Sequence, residues 1–109
     1  MTKDELIEKL YELPKLIEEA ENAVIKDVQA IQGAKERLLF VEDQLLTSGV
    51  IDGKNAEIRS AQLRSRTPQQ RSDIQDAENK ASATRAALNR LNNELAVCKA
   101  IAGMLKGAE

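Results

Sequence analysis

An apolar residue recurs at every seventh position through the first half of the chain. The series runs without a break and consists of Leu10, Ile17, Val24, Ile31, Leu38 and Leu45. The residues three positions after these are also small or aliphatic, with Asp27 as the polar departure: Leu13, Ala20, Ala34 and Val41. A seven-residue repeat of this length predicts one long helix that supercoils with a left-handed twist against a partner helix.

A second repeat of the same period occupies the other half of the chain. Its apolar or small positions are Ile74, Ala77, Ala81, Thr84, Leu88, Leu91, Leu95, Cys98, Ala102 and Leu105. Two long helices with a short connection between them fold back on each other as an antiparallel hairpin. We therefore expect one all-α domain over residues 1–109, a coiled-coil-like helical hairpin with a short connecting helix. The expected boundaries are a long helix over 3–48, a connector over 49–66 and a second long helix over 68–106.

The first helix has a start signal and one interruption. Thr2, followed three residues later by Glu5, predicts a capping box. Pro14 removes a backbone hydrogen bond and clashes with the preceding turn. It leaves two alternatives, a kink near residues 10–13 or a separate short helix over 3–13. Because the heptad phase passes through Pro14 unshifted, we expect the kink.

Turn and cap residues predict where the helices meet the connector. Gly49 is expected to end the first helix in the left-handed conformation, and Asn55 to cap a short helix. Thr67, Pro68 and Gln70 form the most specific local signal of the chain. The threonine is expected to supply the N-cap oxygen, the proline the first helical position, and Gln70 the other half of a capping box.

An isolated hairpin leaves part of this aliphatic stripe in water. The side chains expected to be exposed in this way are Val28, Leu39, Phe40, Leu46 and Ile101. Contiguous exposed apolar surface usually marks a site of association. We expect the protein to self-associate through these residues, most simply as a dimer that forms a four-helix bundle.

The composition excludes most kinds of active site. The chain has no His, one Cys and one Tyr, so the usual nucleophiles and general bases are absent. We expect no enzymatic activity, no cofactor and no metal site, and we expect Cys98 to be a small core residue. A single cysteine cannot form an internal disulfide, which favours the reducing cytoplasm. No apolar run is long enough to cross a bilayer, so no membrane partner is expected.

Charge is distributed unequally along the chain. Residues 1–52 carry 6 basic and 12 acidic residues, whereas residues 53–109 carry 10 basic and 6 acidic residues. The connector and the start of the second helix contain a basic cluster, which consists of Lys54, Arg59, Arg64, Arg66 and Arg71. Arginine forks suit phosphate groups, so this cluster is a candidate contact for nucleic acid or a nucleotide. The alternative is that the arginines pair with the acidic first helix.

The segment DGKNAEIRSAQLRS, at residues 52–65, resembles a segment of a known group of proteins. These are small helical proteins of unassigned function encoded by bacteriophages and prophages of Gram-positive bacteria. They share a long helix, a GKNA-E-R-like connector and a second long helix that ends in an Ala/Leu-rich turn. The resemblance covers most of the chain in layout and fourteen residues as a motif. It singles out Gly53, Lys54, Asn55, Ala56, Glu57 and Arg59.

Two functional hypotheses follow. The resemblance implies a phage accessory protein in the cytoplasm of a bacterial host, acting by contact with a host or phage protein. Phage-encoded proteins of this size are often inhibitors of host nucleases or defence systems, or accessories of phage recombination or replication. The alternative hypothesis is a module that binds nucleic acid or nucleotide phosphates through the basic connector. A structural role for the motif stands beside both, because Gly53 and Asn55 suit a turn and a cap, and Glu57 and Arg59 could attach the connector to the hairpin.

Overall fold

A computed structural model describes residues 1–108 as three helices, and this part of the chain contains no strand. The helices are α1 (Lys3–Thr47), α2 (Ala56–Arg66) and α3 (Pro68–Ala108). The prediction of an all-α helical hairpin with a short connecting helix is confirmed. The predicted boundaries of the two long helices differ from the observed ones by at most two residues.

Helix α1 continues through Pro14 as one element, so residues 3–13 do not form a separate helix. The threonine half of the predicted capping box is present at its start, since the backbone N–H of Glu5 donates to the hydroxyl of Thr2 at 3.2 Å. Gly49 follows its end with φ of 79°, the left-handed conformation that an L residue adopts only with strain.

The hairpin divides into two compact units. The first consists of residues 1–26 together with α3 from Ala81 onwards. Its core contains the buried side chains of Leu6, Leu13 and Cys98. Around them lie the partly buried side chains of Leu10, Leu91, Leu95, Ile101 and Ala102. Lys9 of α1 pairs with Glu94 of α3, and the earlier residue Leu6 lines a groove with the later residue Ala102, so the two segments run antiparallel.

Ile101 is not exposed as the sequence predicted. It is only partly exposed and packs against the Leu6, Leu13 and Cys98 core. The residue lies beside Ala102 on the face of α3 that faces α1, so its side chain is used within the first unit. Of the five side chains expected to drive self-association, this one is already packed.

The second unit spans residues 27–80 and contains the rest of α1, the connector with α2, and the start of α3. Its buried residues include two apolar side chains, Ala34 and Ile51, and two polar ones, Asp27 and Thr67. Arg71 at the start of α3 pairs with Glu42 near the end of α1, at 3.7 Å. The segments of α1 and α3 in this unit are therefore also antiparallel.

Thr67 joins α2 to α3, but not by the predicted capping box. Its hydroxyl donates to the carbonyl of Leu63 at 2.8 Å and accepts from Nε of Arg71 at 3.1 Å. Its backbone N–H donates to the carbonyl of Arg64. The residue is completely buried. The bond to Leu63 is a back-bond to the carbonyl four residues earlier, which threonine side chains make in helices.

Candidate interaction surfaces

The turn before α2 is fixed by one glutamine. Gln62 accepts a hydrogen bond from the backbone N–H of Gly53 at 3.0 Å and donates to the carboxylate of Asp52 at 2.8 Å. Arg59 adds a bond from Nη1 to the carbonyl of Gly53, at 3.1 Å. Both backbone polar groups of Gly53 are thus satisfied by side chains of α2, which hold the turn against the helix.

Glycine is required at position 53 by close approach. A Cβ atom placed there would lie 2.6 Å from Cγ2 of Ile58 and 3.0 Å from the backbone nitrogen of Arg59. Asn55 caps the helix that approaches so closely, because its side chain accepts from the N–H of Ile58 at 2.9 Å. Gly53, Asn55 and Arg59 therefore have structural explanations within the connector. Glu57 lies exposed in the first turn of α2.

The five basic residues of the predicted cluster are all exposed, but they are not equivalent. Arg59 bonds the turn at Gly53, and Arg71 bonds Thr67 and pairs with Glu42. Among the described residues, Lys54, Arg64 and Arg66 have no hydrogen-bond or ion-pair partner for their side chains.

Two of the three remaining cations, Arg64 and Arg66, do not share a face of α2. Arg64 and Arg66 are two residues apart on α2, which places them about 160° apart around the helix axis. Two guanidinium groups on opposite sides of a helix cannot converge on one phosphate. The structure therefore pairs Arg59 with the turn at Gly53 and Arg71 with Thr67 and Glu42, and it leaves Arg64 and Arg66 on opposite sides of α2.

Four apolar side chains of α1 stay largely in water. Val28 is 45% exposed, Leu39 60%, Phe40 63% and Leu46 48%. At about 100° of rotation per residue, Val28, Leu39 and Leu46 lie within about 20° of one another around α1. Phe40 lies about 100° away from Leu39. Three of the predicted residues therefore form one apolar stripe, here called the α1 stripe, and Phe40 flanks it.

The most unusual buried group is Asp27. It is 5% exposed, and its Oδ2 atom has no hydrogen-bond partner among the described residues. Nζ of Lys80 lies 3.8 Å from Oδ1. A buried carboxylate without full hydrogen bonding is costly and uncommon. The sequence analysis noted Asp27 as the polar residue of the heptad repeat but did not name it as a functional candidate. Its position among apolar heptad residues was the feature that could have identified it.

An open groove of about 190 Å³ lies in the first unit between α1 and α3. Its lining is aliphatic except for Lys3 and Lys106. Within the described residues, no group of three or more His, Cys, Asp and Glu side chains is placed to hold a metal ion. No helix in the same residues is both long and apolar enough to span a membrane.

Comparison of the chain with protein-family models, with curated proteins and with solved structures gives no match.

Proposed function

We propose that this chain is a small non-enzymatic accessory protein of a bacteriophage or prophage that acts by protein–protein contact. Its target would be a host defence or nuclease system, or a component of phage recombination or replication, in the bacterial cytoplasm. The observation that supports contact is the α1 stripe, Val28, Leu39 and Leu46, with Phe40 beside it. Exposed apolar side chains that lie along one face of a helix are typical of a surface that binds another helix.

The same stripe supports self-association. Full burial of a Val, Leu or Phe side chain is worth about 1.5–3 kcal/mol, and these side chains are already about half buried. Four of them on each of two copies would supply roughly 8–10 kcal/mol before the cost of association. That cost is at least about 4 kcal/mol. The balance is compatible with a dimer of moderate affinity, and a partner protein with a better-fitting surface would compete with it.

Sedimentation equilibrium at roughly 0.1–1 mM tests self-association, because a balance of about 4–6 kcal/mol corresponds to a Kd of roughly 40 μM to 1 mM. We expect the parent protein to approach twice the 12.0 kDa mass of one chain. A variant with Val28→Gln, Leu39→Gln and Leu46→Gln should sediment as a monomer. The matched control replaces three exposed apolar residues of the first unit, with Tyr11→Gln, Val97→Gln and Met104→Gln, and should stay associated. A parent protein that is monomeric under these conditions would refute the dimer.

Contact with another protein is tested by capture from a lysate of a Gram-positive bacterium. The tagged parent, the stripe variant and the control variant are compared at moderate salt after nuclease treatment. A protein retained by the parent and the control, but lost with the stripe variant, is the expected result. Equal retention by all three would show that the α1 stripe is not the contact surface.

A second candidate function is binding of nucleic acid or nucleotide phosphate. The observation that favours it is three exposed cations, Lys54, Arg64 and Arg66, whose side chains have no partner among the described residues. Phosphate contacts weaken steeply as salt rises. A Lys54→Gln, Arg64→Gln, Arg66→Gln variant should then lose binding to a fluorescent oligonucleotide. The control, Arg85→Gln, Arg90→Gln and Lys99→Gln, removes the same charge from α3. Equal affinity of the two variants would exclude the connector as the binding site.

A further inference from the structure

The apolar seam of the second unit does not by itself fix how α1 is aligned along α3. Every seventh residue of α1 in this unit is aliphatic, as are the corresponding residues of α3: Ile31, Leu38, Leu45, Ile74 and Ala77. A shift of the two helices by seven residues moves them about 10 Å and again places aliphatic residues against aliphatic ones. Burial of apolar area is non-directional, so it discriminates weakly between such alignments.

The length of the connector does not forbid the shift either. Residues 48–55 separate α1 from α2. At about 3.3 Å per residue, eight extended residues span roughly 26 Å, which exceeds the displacement of one heptad. A further feature has to select the observed alignment.

Charged residues at heptad spacing supply that feature. In the observed alignment Asp27 pairs with Lys80, and Glu42 pairs with Arg71. Lys35 and Glu78 occupy the equivalent positions one heptad away from the second pair, so opposite charges also correspond there.

A shift by one heptad brings like charges together in both directions. When α3 moves so that residue 73 reaches Asp27, two carboxylates meet, and Lys35 meets Arg71. When α3 moves the other way, Glu42 meets Glu78 and Asp27 loses its cation, because position 87 is alanine. Among these charged residues, Asp27 is expected to distinguish the alignments most strongly. Its carboxylate is buried, so its interactions with other charges are poorly screened by water.

We propose that these charges act as a register device, which holds α1 and α3 of the second unit in one alignment and rejects both one-heptad shifts. A buried polar residue on a helical seam is well suited to this role, since it gives up stability to select one alignment. The acidic side chains Asp73 and Glu78 of α3 contribute by repulsion in the shifted alignments rather than by attraction in the observed one.

Distance measurement between two spin labels on the full chain tests this proposal. Labels are attached at Gln29→Cys and Ser72→Cys, both exposed positions, with Cys98→Ala to remove the native thiol. In the observed alignment, position 72 lies about seven residues from the level of position 29. One shift therefore shortens the axial separation by about 10 Å, and the other lengthens it by the same amount.

Two single substitutions are each expected to populate one of the two shifted alignments. Asp73→Lys turns the repulsion with Asp27 into attraction and should add a population at shorter distance. Glu78→Lys does the same for Glu42 and should add a population at longer distance. Asp76→Lys makes the same change of charge at an exposed site of α3 that meets neither partner, and should keep the single parental distance.

All three substitutions lie outside the buried core, and circular dichroism confirms that the helices are retained. A new population in its expected direction for either variant supports the register device. A single parental distance in both Asp73→Lys and Glu78→Lys, equal to that of Asp76→Lys, would overturn it.

Discussion

The two units of the hairpin are built from the same two helices and the same repeat, yet their interiors differ. The first unit buries the apolar side chains of Leu6, Leu13 and Cys98. The second buries the polar side chains of Asp27 and Thr67 as well as the apolar side chains of Ala34 and Ile51. The core of the first unit is therefore apolar, whereas the second unit also buries polar groups that take part in hydrogen bonds and an ion pair.

The difference determines how each unit responds to change. Apolar burial is graded, because each lost methylene removes transfer free energy and leaves a cavity. A buried hydrogen-bonded group responds in a step, because removing one partner leaves the other buried without a bond. We therefore expect truncation to damage the first unit most, and loss of single polar groups or of a close contact to damage the second.

The largest effect is expected from Leu13→Ala in the first unit. Leu13 is 3% exposed, and its truncation should lower the free energy of unfolding by about 3 kcal/mol. The comparison variant is Leu16→Ala on the same helix, where the side chain is 41% exposed. Urea denaturation followed by circular dichroism measures both. Equal losses would mean that the Leu6, Leu13 and Cys98 core does not stabilise the unit.

A smaller effect is expected from Gly53→Ala in the second unit. The new Cβ would clash with Ile58 and with the backbone of Arg59, which should cost about 2 kcal/mol. Gly103→Ala is the control from the first unit, since nothing lies within 4 Å of the added atom. That substitution should stabilise the helix by about 0.5–1 kcal/mol. Thermal unfolding should shift in opposite directions, and a shift in the same direction would contradict the close approach at Gly53.

Removal of the buried hydroxyl in Thr67→Val should cost about 1.5 kcal/mol, because the carbonyl of Leu63 and Nε of Arg71 each lose a hydrogen bond. Thr67→Ser retains the hydroxyl and should recover much of this loss. Thr47→Val removes an exposed hydroxyl that also bonds backbone carbonyls, and should change stability much less. If the valine and serine variants at position 67 were equally destabilised, packing rather than hydrogen bonding would explain the effect.

The smallest effect concerns the exposed ion pair of the first unit. The hydrogen bond to Glu94, together with the attraction of its charge, raises the pKa of Lys9 above the ordinary lysine value. The contribution of this pair is therefore complete below about pH 10.4 and is lost as the pH rises through the raised pKa. The stability difference between the parent and Lys9→Gln should shrink in strongly alkaline solution.

The control for this experiment is Lys15→Gln, which replaces another lysine of α1. Its difference from the parent should show no comparable decline over the same pH range. Denaturation midpoints measured from neutral to strongly alkaline pH provide the test. A Lys9→Gln difference that stays constant with pH would show that the pair makes no contribution in solution.

The connector shows which details local sequence signals can predict. Asn55, Gly49 and Thr2 have the predicted roles because each depends on the conformation of neighbouring residues alone. Thr67 carries an equally specific signal, and the prediction for its hydroxyl was wrong. The hydroxyl instead bonds the carbonyl of Leu63 and Nε of Arg71, each four residues away along the chain. Back-bonding to the preceding turn is a local alternative to capping for a threonine, and the sequence does not show which of the two is made.

The candidate surfaces were predictable to a similar extent. The heptad repeat identified exposed apolar residues on α1, since their positions around one helix follow from the sequence. It placed Ile101 with them, although that residue packs against the core of the first unit. The basic cluster could be found from the composition of the connector. The sequence does not show that Arg59 and Arg71 have hydrogen-bond partners within the chain, because this depends on which groups the fold brings close to them.

The sequence by itself determined the helices, their antiparallel pairing and the position of the turn, because periodicity and caps act over a few residues. The tertiary structure alone decided which polar groups are buried, as with Asp27 and Thr67, and which cations are already paired. Burial and pairing depend on the residues that face each other across two helices. Such residues lie far apart in the sequence, 53 positions in the pair of Asp27 and Lys80 and 85 positions in the pair of Lys9 and Glu94. A local sequence pattern therefore cannot identify them.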